Sequence, residues 1–217
     1  MFIKKYGVMV LAAIFWLSGA AVVYSATSEG KPGLIKPGAE VPKFSLPDTV
    51  SGKTVSIDDF RGKKALLVII LCRHCPYVQH AKKAISQLAE DYAGKDIAIV
   101  AISANDPAAI PEDGPEGLKE MAAEEGFNFP VLFDETQQAA KALTAVATPD
   151  FFLFNKDRKL VYRGQMDSSR PGNDKPATGE DLRRAIDAVL SGQPVSREQK
   201  PSFGCSIKWK PGNEPSY

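Results

Sequence analysis

A second cysteine pair is missing from this chain. Its cysteines are Cys72, Cys75 and Cys205, and its histidines are His74 and His80. A structural zinc site needs four ligands at matched spacings, and this supply falls short. Excess charge is missing too. The 27 Lys and Arg against 26 Asp and Glu leave a formal net charge of +1, which gives no reason to expect nucleic acid as a partner. No internal repeat appears. What remains is a chain of 217 residues, 44% hydrophobic, which suits one core-bearing domain plus appendages.

The organising stretch is residues 65–94. Its first part, ALLVIIL, is a continuous aliphatic run, the pattern of a strand covered on both faces. Val78, Ala81, Ile85, Leu88 and Tyr92 then recur three and four apart, which predicts a helix with one inward face. The turn between them carries Cys72-Arg73-His74-Cys75-Pro76. A thiol at a helix start feels unpaired N–H groups and the positive end of the dipole. Both favour thiolate, the reactive form. Pro76 lacks an N–H, which a first helical turn does not need. The pattern predicts Cys72 as the exposed nucleophile and Cys75 as the more buried resolving thiol. Arg73 and His74 are expected to stabilise the Cys72 thiolate and so the reduced form. Two thiolates and a histidine would also suit copper.

The chain ends read differently. Lys4 and Lys5 precede an uncharged, mostly apolar run over 7–24, with Ser25 and Ala26 after it. Residues 1–26 are therefore expected to be an export signal, or a retained membrane anchor. No cysteine lies near the cut, so a lipoprotein is not expected. Either way the domain is expected outside the cytoplasm, in the periplasm, where disulfides persist. Residues 27–40, rich in Gly and Pro, read as a linker, residues 41–192 as the domain, and residues 193–217 as an irregular strap.

Inside the domain, 41–61 reads as a hairpin with Phe44 and Leu46 inward. Residues 96–103 are a second buried strand, so strand, helix and strand form a parallel βαβ unit. Residues 117–125 predict a helix stopped by Gly126, and 129–133 a short strand. Asp134 is expected to cap a helix over 135–145. Residues 151–154 and 160–163 predict an antiparallel hairpin. Thr178 and Asp181 suggest a capping box for a last helix over 179–191.

This order of elements resembles the thioredoxin fold: α/β, with a central mixed sheet flanked by helices and an N-terminal hairpin extension. The opening GAEVPKFSLPDTVSGKTVSIDDFRGKKALLVII is similar to the redoxin branch, the AhpC/TSA and TlpA-like proteins. CRHCPYVQ, NDPAAIPEDGPEG, VATPDFFLFNKDRKLVYRGQMD and FGCSIKWK resemble a group of bacterial peroxiredoxin-like redoxins with a Cys-x-His-Cys-Pro motif.

The resemblance implies that Cys72 and Cys75 are the redox pair. It implies that Pro149 is the proline held in cis beside them, and that the Thr148 backbone is free to pair with an extended substrate segment. It implies no dissociable cofactor. The partners it implies are disulfide-bearing proteins and a redox donor or acceptor, including a membrane-bound one. Departures are visible. Leu66 stands where thioredoxins bury an acid, and Leu71 where they carry tryptophan. Arg73 replaces a more usual Asn and is expected to push the pair toward the oxidising side, as in DsbA-like oxidases. A peroxiredoxin reading lacks its proline and threonine, since Ala65 and Ile69 hold those places. Arg163 would have to supply its positive charge.

Cys205 admits two readings: a buried thiol under a tail anchored by Trp209, or a relay that attacks a disulfide of the Cys72–Cys75 pair. The expected activity is an exported thiol–disulfide oxidoreductase. A thiol peroxidase and a copper-handling module are the alternatives.

Overall fold

A strand covered on both faces must feed two cores alternately, and the aliphatic run does so. In the computed structural model, which describes residues 33–217, Leu67, Ile69 and Leu71 point into one apolar layer. Leu66, Val68 and Ile70 point into the other. All six are essentially without exposure. Each such burial stabilises the fold by about 1.5–3 kcal/mol before entropy is counted.

The first strands among the described residues form a hairpin, β1 (Ser45–Pro47) and β2 (Thr54–Ser56), in the register Ser45 opposite Ser56. Then come β3 (Ala65–Ile70), α1 (Pro76–Asp91) and β4 (Ile97–Ser103). A 3-10 turn at Pro111–Asp113 precedes α2 (Pro115–Glu125), β5 (Val131–Phe133) and α3 (Gln138–Ala142). The second half holds β6 (Ala147–Thr148), β7 (Asp150–Phe154), β8 (Leu160–Gly164), α4 (Glu180–Leu190) and β9 (Cys205–Ser206).

The main sheet has the order β5-β4-β3-β7-β8. β3 and β4 run parallel across α1, and β3 and β7 run antiparallel. The mixed sheet flanked by helices is the expected α/β thioredoxin-like fold. Side chains of α1, α2 and α4 fill one layer, including Ile85, Met121 and Ile186. α3 and the opening hairpin close the other, through Leu143, Phe44 and Phe60.

Three local expectations are corrected. The helix after Asp134 is one turn, not eleven residues, because residues 135–137 form a turn and Gln137 adopts φ 62°. The Gln137 side chain reaches Ala104 O and Lys208 O instead of solvent. Asp134 still serves that helix by accepting from Ala140 N. The capping box at Thr178 does not form. Gly179 is the N-cap, and Asp167 accepts from the N–H groups of Thr178 and Gly179 at 2.8 and 2.6 Å. Asp181 instead accepts from Gln165. Finally, the tail is not wholly irregular, since β9 pairs antiparallel with β6.

The predicted export signal or anchor at 1–26 lies outside the described residues. Among those described, no helix is long and apolar enough to cross a membrane.

Candidate redox site

The end of β3 delivers Cys72 and the start of α1 delivers Cys75. Cys75 is the residue immediately before the helix, with Pro76 at its first position and Gln79 N donating to Cys75 O. The helix start therefore acts on Cys75, and Cys72 stands one turn before it. The expectation of an exposed Cys72 is also corrected: Cys72 and Cys75 are both 0% exposed. Both are free thiols.

Thr148 binds the pair together. Its peptide bond to Pro149 is cis. Cys72 Sγ lies 3.2 Å from Thr148 Oγ1, and Cys75 Sγ lies 3.2 Å from Thr148 O. Each thiol's acidity is set first by the other's proximity. Cys75 is drawn well below the ordinary thiol range, first by the Cys72 S–H, against burial, with help from Cys205, Thr148 and the Val78 N–H. Cys72 is pushed far above that range, first by its bond to Cys75, then by burial and by the charge of Asp113. The contact between Cys75 and Thr148 O pulls the other way, because a carbonyl accepts only from an S–H. Either way, each thiol eases the first ionisation of the pair and suppresses the second.

Asp113 is the residue that the sequence reading missed. It is fully buried and its carboxylate accepts from Arg73 N at 2.7 Å, His74 N at 2.9 Å and Asn105 Nδ2 at 2.8 Å. Its Oδ2 lies 2.5 Å from His74 Nδ1, and Cys72 Sγ lies 3.6 Å from that same nitrogen. Nothing in NDPAAIPEDGPE distinguishes Asp113 from its acidic neighbour Glu112. The one available signal, a Pro-to-Gly turn over 111–114, marks the segment but not the residue. Leu66 itself is buried in the opposite apolar layer, so the acid near the thiols comes from a loop and not from the strand.

Arg73 is corrected as a thiolate-stabilising charge. Its guanidinium turns away onto α2, to Glu120 at 2.5 Å, Glu124 at 3.1 Å and Gly117 O at 2.9 Å. Its charge is neutralised there. Arg163 is likewise unavailable to a peroxide, since it pairs with buried Asp150 and stacks on Phe152. His80 does not join the site; it meets Ser169 Oγ at 2.6 Å.

The largest correction concerns the docking edge. Thr148 is not free for a substrate, because β9 occupies it in the register Thr148 opposite Cys205. Gly204 makes this contact feasible. A Cβ there would stand 2.0 Å from Thr148 O and 3.2 Å from Pro149 N. Ser202 Oγ donates to Asp150 Oδ1 at 2.5 Å, and Lys208 N donates to Asn105 Oδ1 at 2.9 Å. Ile207 is buried and Trp209 packs on the second apolar layer. Cys205 is half-buried beside Cys75. Burial, then the hydrogen bond and charge of Cys75, push its thiol up to about 11, against the pull of Lys208.

Among the described residues, Cys72, His74 and Asp113 are a group whose ligand atoms all lie within 4.8 Å of one another. The chemistry available is thus thiol exchange at a sulfur pair, or capture of a soft metal by the same atoms.

Known proteins resemble this chain over most of its length. An uncharacterized conserved protein of Geobacillus kaustophilus superposes with a TM-score of 0.80 at 47% identity, covering 84% of this chain and 98% of its own. A hypothetical protein of Sinorhizobium meliloti gives 0.80 at 44% identity, covering 82% and 97%. The thiol-disulfide oxidoreductase ResA of Bacillus thuringiensis is 26% identical over 126 residues, which is 57% of this chain. The match spans 66% of the length of that relative, just under two thirds. Residues 36–182 match the Redoxin family, so β1 through the first turn of α4 fall within one recognised unit, and the chain belongs to the redoxin family.

Proposed function

We propose that this protein is an exported thiol–disulfide oxidoreductase whose working group is the Cys72–Cys75 dithiol. The observation that carries the reading is the sulfur pair itself: two buried thiols at the start of one helix, both held on Thr148 at 3.2 Å, one by its hydroxyl and one by its carbonyl. A monoanionic dithiol is the form that attacks a disulfide. The thiolate attacks a substrate sulfur, a mixed disulfide forms, and the substrate's other sulfur leaves as thiolate. The remaining thiol of the pair then attacks the mixed disulfide. The Cys72–Cys75 bond forms and the substrate is released fully reduced, two electrons having moved. The reverse sequence oxidises a dithiol. Kinship with proteins such as ResA supports this class of reaction. The predicted leader at 1–26 supports the placement outside the cytoplasm. Substrates are disulfides or dithiols of proteins or small molecules, exchanged with a redox donor or acceptor.

Titrating the full chain in graded glutathione buffers, with disulfides mapped by mass spectrometry, tests this. The expected product is a Cys72–Cys75 disulfide. A potential near about −270 mV assigns a reductant, and one near about −120 mV an oxidant. Absence of that disulfide at every potential would reject the proposal.

A second reading is favoured by the Cys72, His74 and Asp113 group. Thiolate and imidazole suit a soft metal such as copper(I). Tight copper(I) binding by the reduced protein, lost in Cys72→Ser, would support it.

A further inference from the structure

The redox pair has no exposure, and the edge beside it is already filled by the chain's own tail. A reaction with any outside molecule therefore needs either a lifted strap or a sulfur that reaches the surface. We propose that Cys205 is that sulfur: it exchanges with Cys75, and the outside thiol or disulfide reacts at Cys205. This rests on the Cys72–Cys75 pair being the redox centre.

Three independent contacts place Cys205 for that task. Its backbone is in ladder register with Thr148, whose carbonyl oxygen touches Cys75 Sγ. Gly204 lets the tail approach Thr148 O more closely than any side chain would permit. Ser202, Ile207 and Lys208 fix the tail on both sides of it, through Asp150, the second apolar layer and Asn105. The tail thus lies as an extended segment along the edge that family resemblance assigns to substrate. Its one cysteine sits opposite the residue that orients the pair. Of the three cysteines, Cys205 alone is not fully buried.

The exchange balances without an added oxidant. In the oxidised protein the Cys205 thiolate attacks Cys75 Sγ. A Cys75–Cys205 bond forms, the Cys72–Cys75 bond breaks, and Cys72 leaves as thiolate and takes up the proton that Cys205 gave up. An outside thiolate then attacks Cys205 Sγ, and Cys75 leaves as thiolate. A second outside thiol attacks the substrate sulfur of this mixed disulfide, and Cys205 is released. The outside dithiol leaves as a disulfide, and the protein retains three reduced sulfurs. A disulfide substrate follows the same path backwards.

Cys75 is the partner and not Cys72. Cys75 Sγ lies on the carbonyl of Thr148, the residue opposite Cys205 in the ladder, whereas Cys72 is turned toward Thr148 Oγ1 and His74 Nδ1.

The test uses the full chain equilibrated in graded glutathione buffers, acid-quenched, and mapped by mass spectrometry. The expected result is a Cys75–Cys205 disulfide beside Cys72–Cys75 in the parent, and a quantitative intramolecular Cys75–Cys205 bond in Cys72→Ser. Cys205→Ser and Cys205→Ala are expected to form Cys72–Cys75 normally but to be reduced by glutathione at least tenfold more slowly. Full alkylation of Cys205 at every potential, or reduction of both Cys205 variants at the parental rate or faster, would overturn the relay and mean that the strap lifts. Failure of the parent to form any Cys72–Cys75 bond would instead remove the pair reading beneath it.

Discussion

Cys72 and Cys75 are three residues apart and equally buried, yet they face opposite surroundings. Cys72 looks toward a polar cradle in which Asp113 fixes His74, the Arg73 backbone and Asn105. Cys75 looks toward the Thr148 carbonyl and the tail, where a glycine and another thiol are the neighbours. The first side is built to hold one geometry, because every donor there shares a single buried carboxylate. The second brings the tail's cysteine into register with the residue whose carbonyl meets Cys75. The motif alone treats the two cysteines as a pair; the difference between their neighbours divides rigidity from exchange.

Breaking the polar side should have the largest effect. Asp113→Ala leaves the N–H groups of Arg73 and His74 and the Asn105 amide without their acceptor. At about 1–3 kcal/mol for each unsatisfied buried donor, a loss of about 4 kcal/mol is expected. For a domain of this size that lowers the melting temperature by roughly 10 °C. Asp113→Asn keeps one oxygen and loses the charge, so it should restore much of the stability. It should also make Cys72 easier to ionise, since the Asp113 charge is one of the causes raising it. A calorimetric melting point within about 2 °C of the parent for Asp113→Ala would mean that the cradle is not what holds the loop.

The exchange side should yield next, through Gly204→Val. The added Cβ meets the Thr148 carbonyl, and backbone cannot move aside as a flexible side chain can. β9 should peel from β6 while the five-stranded sheet remains. Losing two or three hydrogen bonds at about 1 kcal/mol each corresponds to a roughly hundredfold faster alkylation of Cys205 and Cys75. Unchanged alkylation, read by timed mass spectrometry on the reduced protein, would show that the tail is seated by something other than this contact.

What the sequence made legible follows the same division. β3, α1 and the βαβ order were readable because each rests on a local period or an unbroken aliphatic run, and tertiary packing agreed with both. The cysteine turn was readable from its spacing. Asp113 was not, because a 3-10 turn carries no period and burial of one acid among several is set by what it meets in space. The two-residue pairing of β6 with β9 joins segments 57 positions apart through a glycine seat, which no window of sequence contains. The Asp167 cap was hidden for the same reason: it reaches Thr178 and Gly179 from eleven and twelve residues away. Gln137 shows the converse, a residue of good helix propensity spent on tying down the tail.

A smaller effect is expected from Cys75→Ser on the titration of Cys205. Burial raises that thiol first, but the next two causes both come from Cys75. Removing them should move the midpoint of Cys205 alkylation down from about 11 toward the ordinary 9.0. The sign carries into stability. A group whose pKa is raised on folding stabilises the protein fully below its unfolded value, and that share is lost as pH rises through its folded value. The reduced parent should therefore lose some stability between pH 9.0 and about 11, and Cys75→Ser should lose less. An identical alkylation profile in both proteins would separate Cys205 from Cys75 and weaken the contrast between the two sides.

Arg73→Asn should do least, although sequence reading gives Arg73 a leading part. The guanidinium lies on α2 among Glu120 and Glu124, whose side chains are 66% and 53% exposed. Pairs that open to solvent contribute about 0–1 kcal/mol, and their charges offset the arginine before its field reaches Cys72. The loop is held instead by the Arg73 backbone N–H on Asp113, which any residue can supply. The glutathione equilibrium constant of the pair should thus change by less than about threefold. A tenfold shift toward the oxidising side would show that the arginine acts on the thiolate through space, and that the polar side sets the potential as well as the geometry.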